Sequence, residues 1–241
     1  MGMSTGEQLN IGKLKFLQPR HGYRFSVDAV LLADFLTIKP TERLIDLGTG
    51  SGIIPLLASV MTPAQEIVGI EIQEQLVTLA RQNVAMNHLE DRVRILHGDL
   101  KHIARHFRSG EFDVLCSNPP YRKIGTGRLN PQDEQAIARH EIHCQLGDLL
   151  AACKYLVNPG GKIFLIYLPE RLCELISQMH QYHFEPKRLR CVHSYQTTPA
   201  SLILIEARRD AAPGLTIQPP LTLYARKNEY TEEAKHILRE H

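Results

Sequence analysis

Residues Leu44 to Gly52 read "LIDLGTGSG": an apolar run holding one acid, Asp46, which breaks into three glycines at alternate positions, Gly48, Gly50 and Gly52. A helical pattern begins at once, from Ile53 to about Val60. A strand therefore feeds a helix across a turn that only glycine-rich backbone makes tightly, and the missing Cβ atoms let a ligand approach the main chain. The spacing is G-x-G-x-G, whereas dinucleotide sites carry G-x-G-x-x-G, so NAD is not the first choice of ligand. A plain strand-helix turn and a nucleotide site both fit this stretch alone.

Downstream, the same rhythm repeats. "EIVGIEI" reads as a strand, "QEQLVTLARQNVAMNH" as a helix, "RVRILHGD" and "FDVLCSN" as strands, "LGDLLAACKYLV" as a helix and "GKIFLIYL" as a strand. "PERLCELISQMHQY" opens a helix with Pro169 in its first turn, and "KRLRCVHSY" and "SLILIEARR" are close enough to pair antiparallel. Alternating strands and helices predict a three-layer α/β fold around a mostly parallel sheet with right-handed crossovers. Three segments are expected: an extension over 1–40 (hairpin plus helix, with Ser26 or Asp28 as its cap), a core over 41–210 and a tail over 211–241.

On such a sheet the carboxyl ends of the strands line one crevice. Glu71 ends the second strand, where a carboxylate can accept both hydroxyls of a ribose; a solvated strand end would also explain it. Asp99 ends the third, placed to accept from an adenine amine beside an apolar contact from Leu100, or simply to cap the next helix. Three successive strand ends that suit an adenosine are far harder to obtain by accident than any one of them.

The fourth strand must stop at Ser117 or Asn118, because Pro119 and Pro120 cannot donate to a ladder. Asn118-Pro119-Pro120-Tyr121 then has a chemical reading. Methylating an exocyclic or amide nitrogen requires its delocalised lone pair to be turned toward the methyl donor. The Asn118 side-chain carbonyl and the Pro119 backbone carbonyl can grip its two N–H groups, while Tyr121 stacks on the planar group. Alignment and preorganisation would supply the catalysis, with no metal.

With these motifs the sequence resembles the class I S-adenosylmethionine-dependent methyltransferases. The resemblance implies a Rossmann-like sheet of seven strands, the last antiparallel, and S-adenosyl-L-methionine as cofactor. It implies that Asp46 and the loop of Gly48, Thr49, Gly50 and Gly52 bound the methionine part, that Glu71, with Ile72 beside it, holds the ribose, and that Asp99 and Leu100 face the adenine. Asn118 is counted with both the cofactor site and catalysis. The "NPPY" quartet resembles that of amino-methyltransferases acting on adenine N6, cytosine N4 or glutamine amide.

The substrate must be read from the flanks. Lys13, Lys15, Arg20, His21 and Arg24 interleave with Phe16, Tyr23 and Phe25, a mixture that suits phosphates and bases, or an ordinary hairpin. Arg122 and Lys123 extend the basic set, in a loop over 122–135 that could cover a substrate. These segments, with "ARHE" (Ala138–Glu141) and the tail "YTEEAKHILRE", look like the bacterial tRNA adenine-N6 methyltransferases that modify a valine tRNA at the adenine following the anticodon. A release-factor glutamine methyltransferase shares "NPPY" but usually carries a helical domain ahead of the core, where this chain has about forty basic-aromatic residues. Other rRNA or DNA amino-methyltransferases remain alternatives. A binding module that lost transfer would show a broken loop or altered quartet, and both are intact.

Composition adds bounds. The 241 residues are 43% hydrophobic with a formal net charge of +2, as for a globular protein whose polyanion affinity must come from charge placement. No apolar run would span a bilayer, and the five scattered cysteines read as reduced thiols of a cytoplasmic protein. His102 and His106, four apart, lack the further ligands of a metal site. The expected partner is RNA, most simply tRNA, bound by a monomer.

Overall fold

The computed structural model describes residues 7–11, 13–18, 27–119 and 145–239. Strands β1 (Glu7–Ile11) and β2 (Leu14–Gln18) form an antiparallel hairpin, and α1 spans Val27–Phe35. The alternating core follows: β3 (Arg43–Leu47), α2 (Ile53–Met61), β4 (Glu66–Glu71), α3 (Glu74–Met86), β5 (Val93–His97) and β6 (Phe112–Ser117). Next come α4 (Leu146–Leu156), β7 (Val157–Tyr167), α5 (Leu172–Gln181), β8 (Phe184–His193) and β9 (Ala200–Arg209). The tail adds β10 (Thr216–Ile217), β11 (Leu221–Thr222), β12 (Tyr224–Arg226), β13 (Glu229–Tyr230) and α6 (Glu232–Leu238).

The central sheet runs β5-β4-β3-β6-β7-β9-β8, with β9 antiparallel to both its neighbours. These are the seven expected strands, the last of them reversed. Among the described residues the sheet nevertheless has nine, because β10 and β11 of the tail each pair parallel with the outer edge of β8. Two residues apiece, separated by Gln218, Pro219 and Pro220, are too few to show a period of two.

Both faces of the sheet are covered, so its strands are apolar throughout. Successive side chains serve opposite cores: Leu44, Val114, Cys116 and Phe164 pack with α1, α2, α3 and α6, whereas Ile45, Leu115, Ile163 and Leu165 pack with α4 and α5. Helix α1 is buried along Ala29–Ala33 and wedged between α2 and α6. Asp28 lies in its first turn, not at its cap, and Ser26 is outside the described residues. No helix among the described residues is long and apolar enough to cross a membrane.

Strand order reverses at β3, which has β4 on one side and β6 on the other. The carboxyl ends of β3 and β6 are therefore the switch point where open α/β sheets bind ligands. Gly52 enters α2 with φ +82°, and a Cβ there would come 3.1 Å from the Cβ of Ala80 on α3. Gly52→Ala should thus lower unfolding stability by about 1–2 kcal/mol from the left-handed backbone alone. Urea melts measure this, and an unchanged midpoint would contradict the tight turn.

Candidate functional site

The glycine turn is tied down by the end of the next strand. Gly48 and Thr49 both donate N–H to the Ile70 carbonyl, at 2.9 and 3.0 Å. Gly50 donates N–H to Glu71 Oε2 at 3.0 Å, while Glu71 Oε1 accepts the N–H of Gln73 at 2.9 Å. Glu71 is buried, so it shapes the loop as well as facing the crevice. Its two backbone donors occupy two of roughly four acceptor positions on a carboxylate, which leaves capacity for ligand hydroxyls.

Asp46 sits beneath this turn, wholly buried, between Gly69 of β4 and Cys116 of β6. Gly69 is required there: a Cβ would lie 2.8 Å from Thr49 Oγ1. The Cys116 thiol donates to Asp46 Oδ1 at 3.5 Å, but Asp46 Oδ2 and Thr49 Oγ1 are buried with no hydrogen-bond partner. Burial pushes the Asp46 carboxyl up to about 7, and the Glu71 charge acts the same way. Cys116 opposes them, as does nearby Thr49, whose hydroxyl is nonetheless not aimed at the carboxyl as a true hydrogen bond. Burial also pushes the Cys116 thiol well up, which makes it a neutral donor and no nucleophile. Orphaned polar atoms of this kind are rare in folded proteins. An acceptor and a hydroxyl beside open glycine backbone fit a cationic, hydrogen-bond-donating ligand such as the methionine part of S-adenosylmethionine.

Asn118 follows β6 directly. Ser117 Oγ donates to the Leu47 carbonyl at 2.7 Å and locks the two strand ends together. A cleft lined by Ala29, Gly48, Thr49, Ser51, Ile53, Ile54 and Asn118 results, so glycine loop, α1 and strand end share one space. A second group gathers beside it: Gly98 N–H donates to the Glu71 carbonyl at 3.0 Å, bringing Asp99 and half-buried Leu100 next to Glu71 and exposed Ile72. Asp99 Oδ1 accepts the N–H of Lys101 at 2.9 Å, capping a 3₁₀ turn over Leu100–Arg105. The capping expectation is met, with Oδ2 lying 3.4 Å from His102 Nδ1.

Lys13 and Lys15 are exposed on the hairpin, but Phe16, next to Lys15, is completely buried and packs into the core, so it offers no face to a base. Arg20, Arg24, Pro120, Tyr121, Arg122 and Lys123 lie outside the described residues, as do "ARHE" and the loop over 122–135.

Two functional neighbours escape sequence reading. Asn83 of α3 and Asn87, which caps its end four residues on, act as a surrogate strand for β2. Asn83 Oδ1 accepts the N–H of Leu17 at 2.7 Å, and its Nδ2 donates to the carbonyls of Leu17 and Ser51 at 3.0 and 2.9 Å. Asn87 grips Lys15 in the same way, at 2.9 and 2.7 Å. The hairpin is thereby bonded to the glycine loop. Lys15 lies about one helical turn, ~5 Å, farther from that loop than Leu17 does. Two carboxamides at i and i+4 on an apolar helix face were the only signal.

A switch point so furnished, with a glycine turn lacking the dinucleotide spacing, is that of a class I, Rossmann-like methyltransferase using S-adenosylmethionine. Sequence comparison agrees: the chain belongs to the methyltransferase small domain family, whose model matches residues 24–167. A tRNA1(Val) (adenine(37)-N6)-methyltransferase of Aeromonas salmonicida is 31% identical over 65% of this chain, which spans 64% of that relative's length. One of the same name from Tolumonas auensis is 28% identical over 92% of this chain and 85% of its own length. Among solved structures, a predicted O-methyltransferase from Agrobacterium tumefaciens superposes with TM-score 0.70 at 20% identity, covering 88% of this chain and 95% of that one, a likeness of fold.

Asp46 yields a pH test. An acid whose pKa is raised on folding, here from 3.8 to about 7, costs stability as pH rises between those values and the full amount above them. Unliganded Asp46→Asn should therefore melt above the parent at pH 8, the gap closing toward pH 4, while its affinity for S-adenosylhomocysteine falls. Thermal scans and calorimetry check both. A variant that melts lower at pH 8 would show that the carboxylate is well solvated or paired.

Proposed function

We propose that this chain methylates the N6 amine of an adenine in tRNA, the one following the anticodon. The observation that carries the reading is Asn118, just past the end of β6, lining the cleft it shares with the glycine loop. Relatives bearing the tRNA1(Val) (adenine(37)-N6)-methyltransferase name, similar along much of the chain, support the choice of acceptor.

S-adenosylmethionine, when bound, supplies an electrophilic methyl group on a sulfonium. Asp46, Thr49 and the glycine turn would hold its methionine part, Glu71 and Ile72 its ribose, and Asp99 and Leu100 its adenine. The carbonyls of Asn118 and Pro119 each accept one N–H of the target amine, which turns its lone pair toward the methyl. Tyr121 stacks on the base from the strand end. Lys13, Lys15, Arg20, Arg24, Arg122 and Lys123 neutralise phosphates around it. The target adenine must leave its stack to enter, so an unpaired loop is the preferred substrate. The protein would act in the cytoplasm, as a monomer.

Single-turnover methylation of an anticodon stem-loop, read as N6-methyladenosine, tests the assignment. Asn118→Ala should lose about 100- to 1000-fold in turnover, as expected for one preorganised contact, and far less in affinity for S-adenosylhomocysteine. A near-parental rate would reduce the motif to a turn. Methylation of a release-factor glutamine, with tRNA untouched, would overturn the choice of substrate.

A further inference from the structure

We propose that the C-terminal hairpin β12–β13 is a docking surface for the substrate RNA, contacting nucleotides that flank the target adenine; this rests on the RNA reading above. Placement comes first. Because β9 is antiparallel to both β7 and β8, and β7 is parallel to β6, β8 points the same way as β6. Its last residue, His193, thus reaches the sheet edge that carries Asn118. Leu223 N–H donates to the His193 carbonyl at 2.8 Å and Tyr224 N–H to the Ser194 carbonyl at 2.9 Å, so the hairpin stands on that edge. The hairpin continues from β11, outside β8, so four strand spacings of about 4.8 Å put it roughly 19 Å to the side of the catalytic strand. At about 3.4 Å per stacked nucleotide, some six nucleotides bridge that distance.

The chemistry of the surface suits RNA. Tyr224 and Tyr230 stack with centroids 4.7 Å apart and planes 18° from parallel, and Tyr195 continues the row at 5.6 Å from Tyr224. All three rings are half-buried. The turn joining the strands exposes Arg226, whose side chain is 83% accessible, and Lys227, with Asn228 taking the left-handed φ of 60°. Aromatic faces beside cations meet bases and phosphates together. Nearby acids are mostly engaged: Glu233 with Arg190 and Glu232 with Lys235, while Glu229 stands 3.8 Å from Arg226. Behind the hairpin, Ala234 and Ile237 of α6 pack in the same core as Ala29 of α1, a cleft-lining residue, which gives the surface a firm mount.

The test uses the full chain. The double variant Arg226→Glu/Lys227→Glu alters only exposed turn positions and should fold as the parent does. Its tRNA affinity should fall about 10-fold or more at low salt, with a log–log salt slope shallower by about 1.4, at roughly 0.7 per single-strand phosphate contact. S-adenosylhomocysteine affinity and the rate at saturating tRNA should stay within about 3-fold, since ~19 Å separates hairpin and chemistry. Tyr195→Ala should weaken tRNA binding about 5-fold or more, with Tyr195→Phe restoring it. Parental tRNA affinity and slope in the double variant, while the parent methylates tRNA, would overturn the hairpin proposal alone. A parent that neither binds nor methylates tRNA would overturn the RNA reading and this inference together.

Discussion

The hydrogen bond from Gly50 N–H to the buried Glu71 carboxylate is the contact on which the site depends. It joins the turn after β3 to the end of β4. The Glu71 backbone carbonyl, through Gly98 N–H, brings in the end of β5. One residue thereby sets the relative heights of three strand ends. A glycine turn alone would be free to fold several ways, since glycine visits both signs of φ. Charge-assisted bonding to a buried carboxylate selects one of them before any ligand arrives. The same carboxylate keeps acceptor capacity toward the crevice, so scaffold and binding group are one side chain.

Beneath the turn the protein accepts a local penalty. Asp46 is buried with one oxygen unpartnered, next to an unpartnered Thr49 hydroxyl whose close packing only a glycine at position 69 admits. Folded proteins tolerate few such atoms, and those that persist tend to mark places where a ligand completes the network. The surrounding framework is better satisfied: Ser117 bonds across to Leu47, and Asn83 uses both amide donors and its carbonyl against Leu17 and Ser51. Rigid walls around an incomplete floor are what preorganised binding requires.

How much of this could be read from residues alone follows from the range of the interactions. Strands buried on both faces announce themselves as apolar runs, which is why the seven central strands and the reversed β9 were legible. The places of the strand ends were legible too, because a glycine turn, a proline pair and carboxylates mark where such strands stop. Long-range hydrogen bonding was not. Nothing local to Asn83 says that its partner is the backbone of Leu17, 66 positions earlier. Phe16, next to Lys15 in a basic-aromatic segment, looked available to bases, yet it is the tertiary packing beneath the hairpin that claims it. The tail strands β10 and β11 exist only because β8 offers an open edge, so two-residue segments with no periodicity of their own become part of the sheet.

The central claim is that Asn118, at the rim of this cleft, serves methyl transfer to an adenine amine of tRNA. Mass spectrometry of nucleosides from separated tRNA and rRNA pools, in cells with and without the gene, tests it most directly. The account predicts that N6-methyladenosine disappears from one tRNA when the gene is deleted, while rRNA is unchanged. It returns with the parent gene but not with an Asn118→Ala copy. Full N6-methyladenosine in tRNA after deletion, or a loss confined to rRNA, would contradict it.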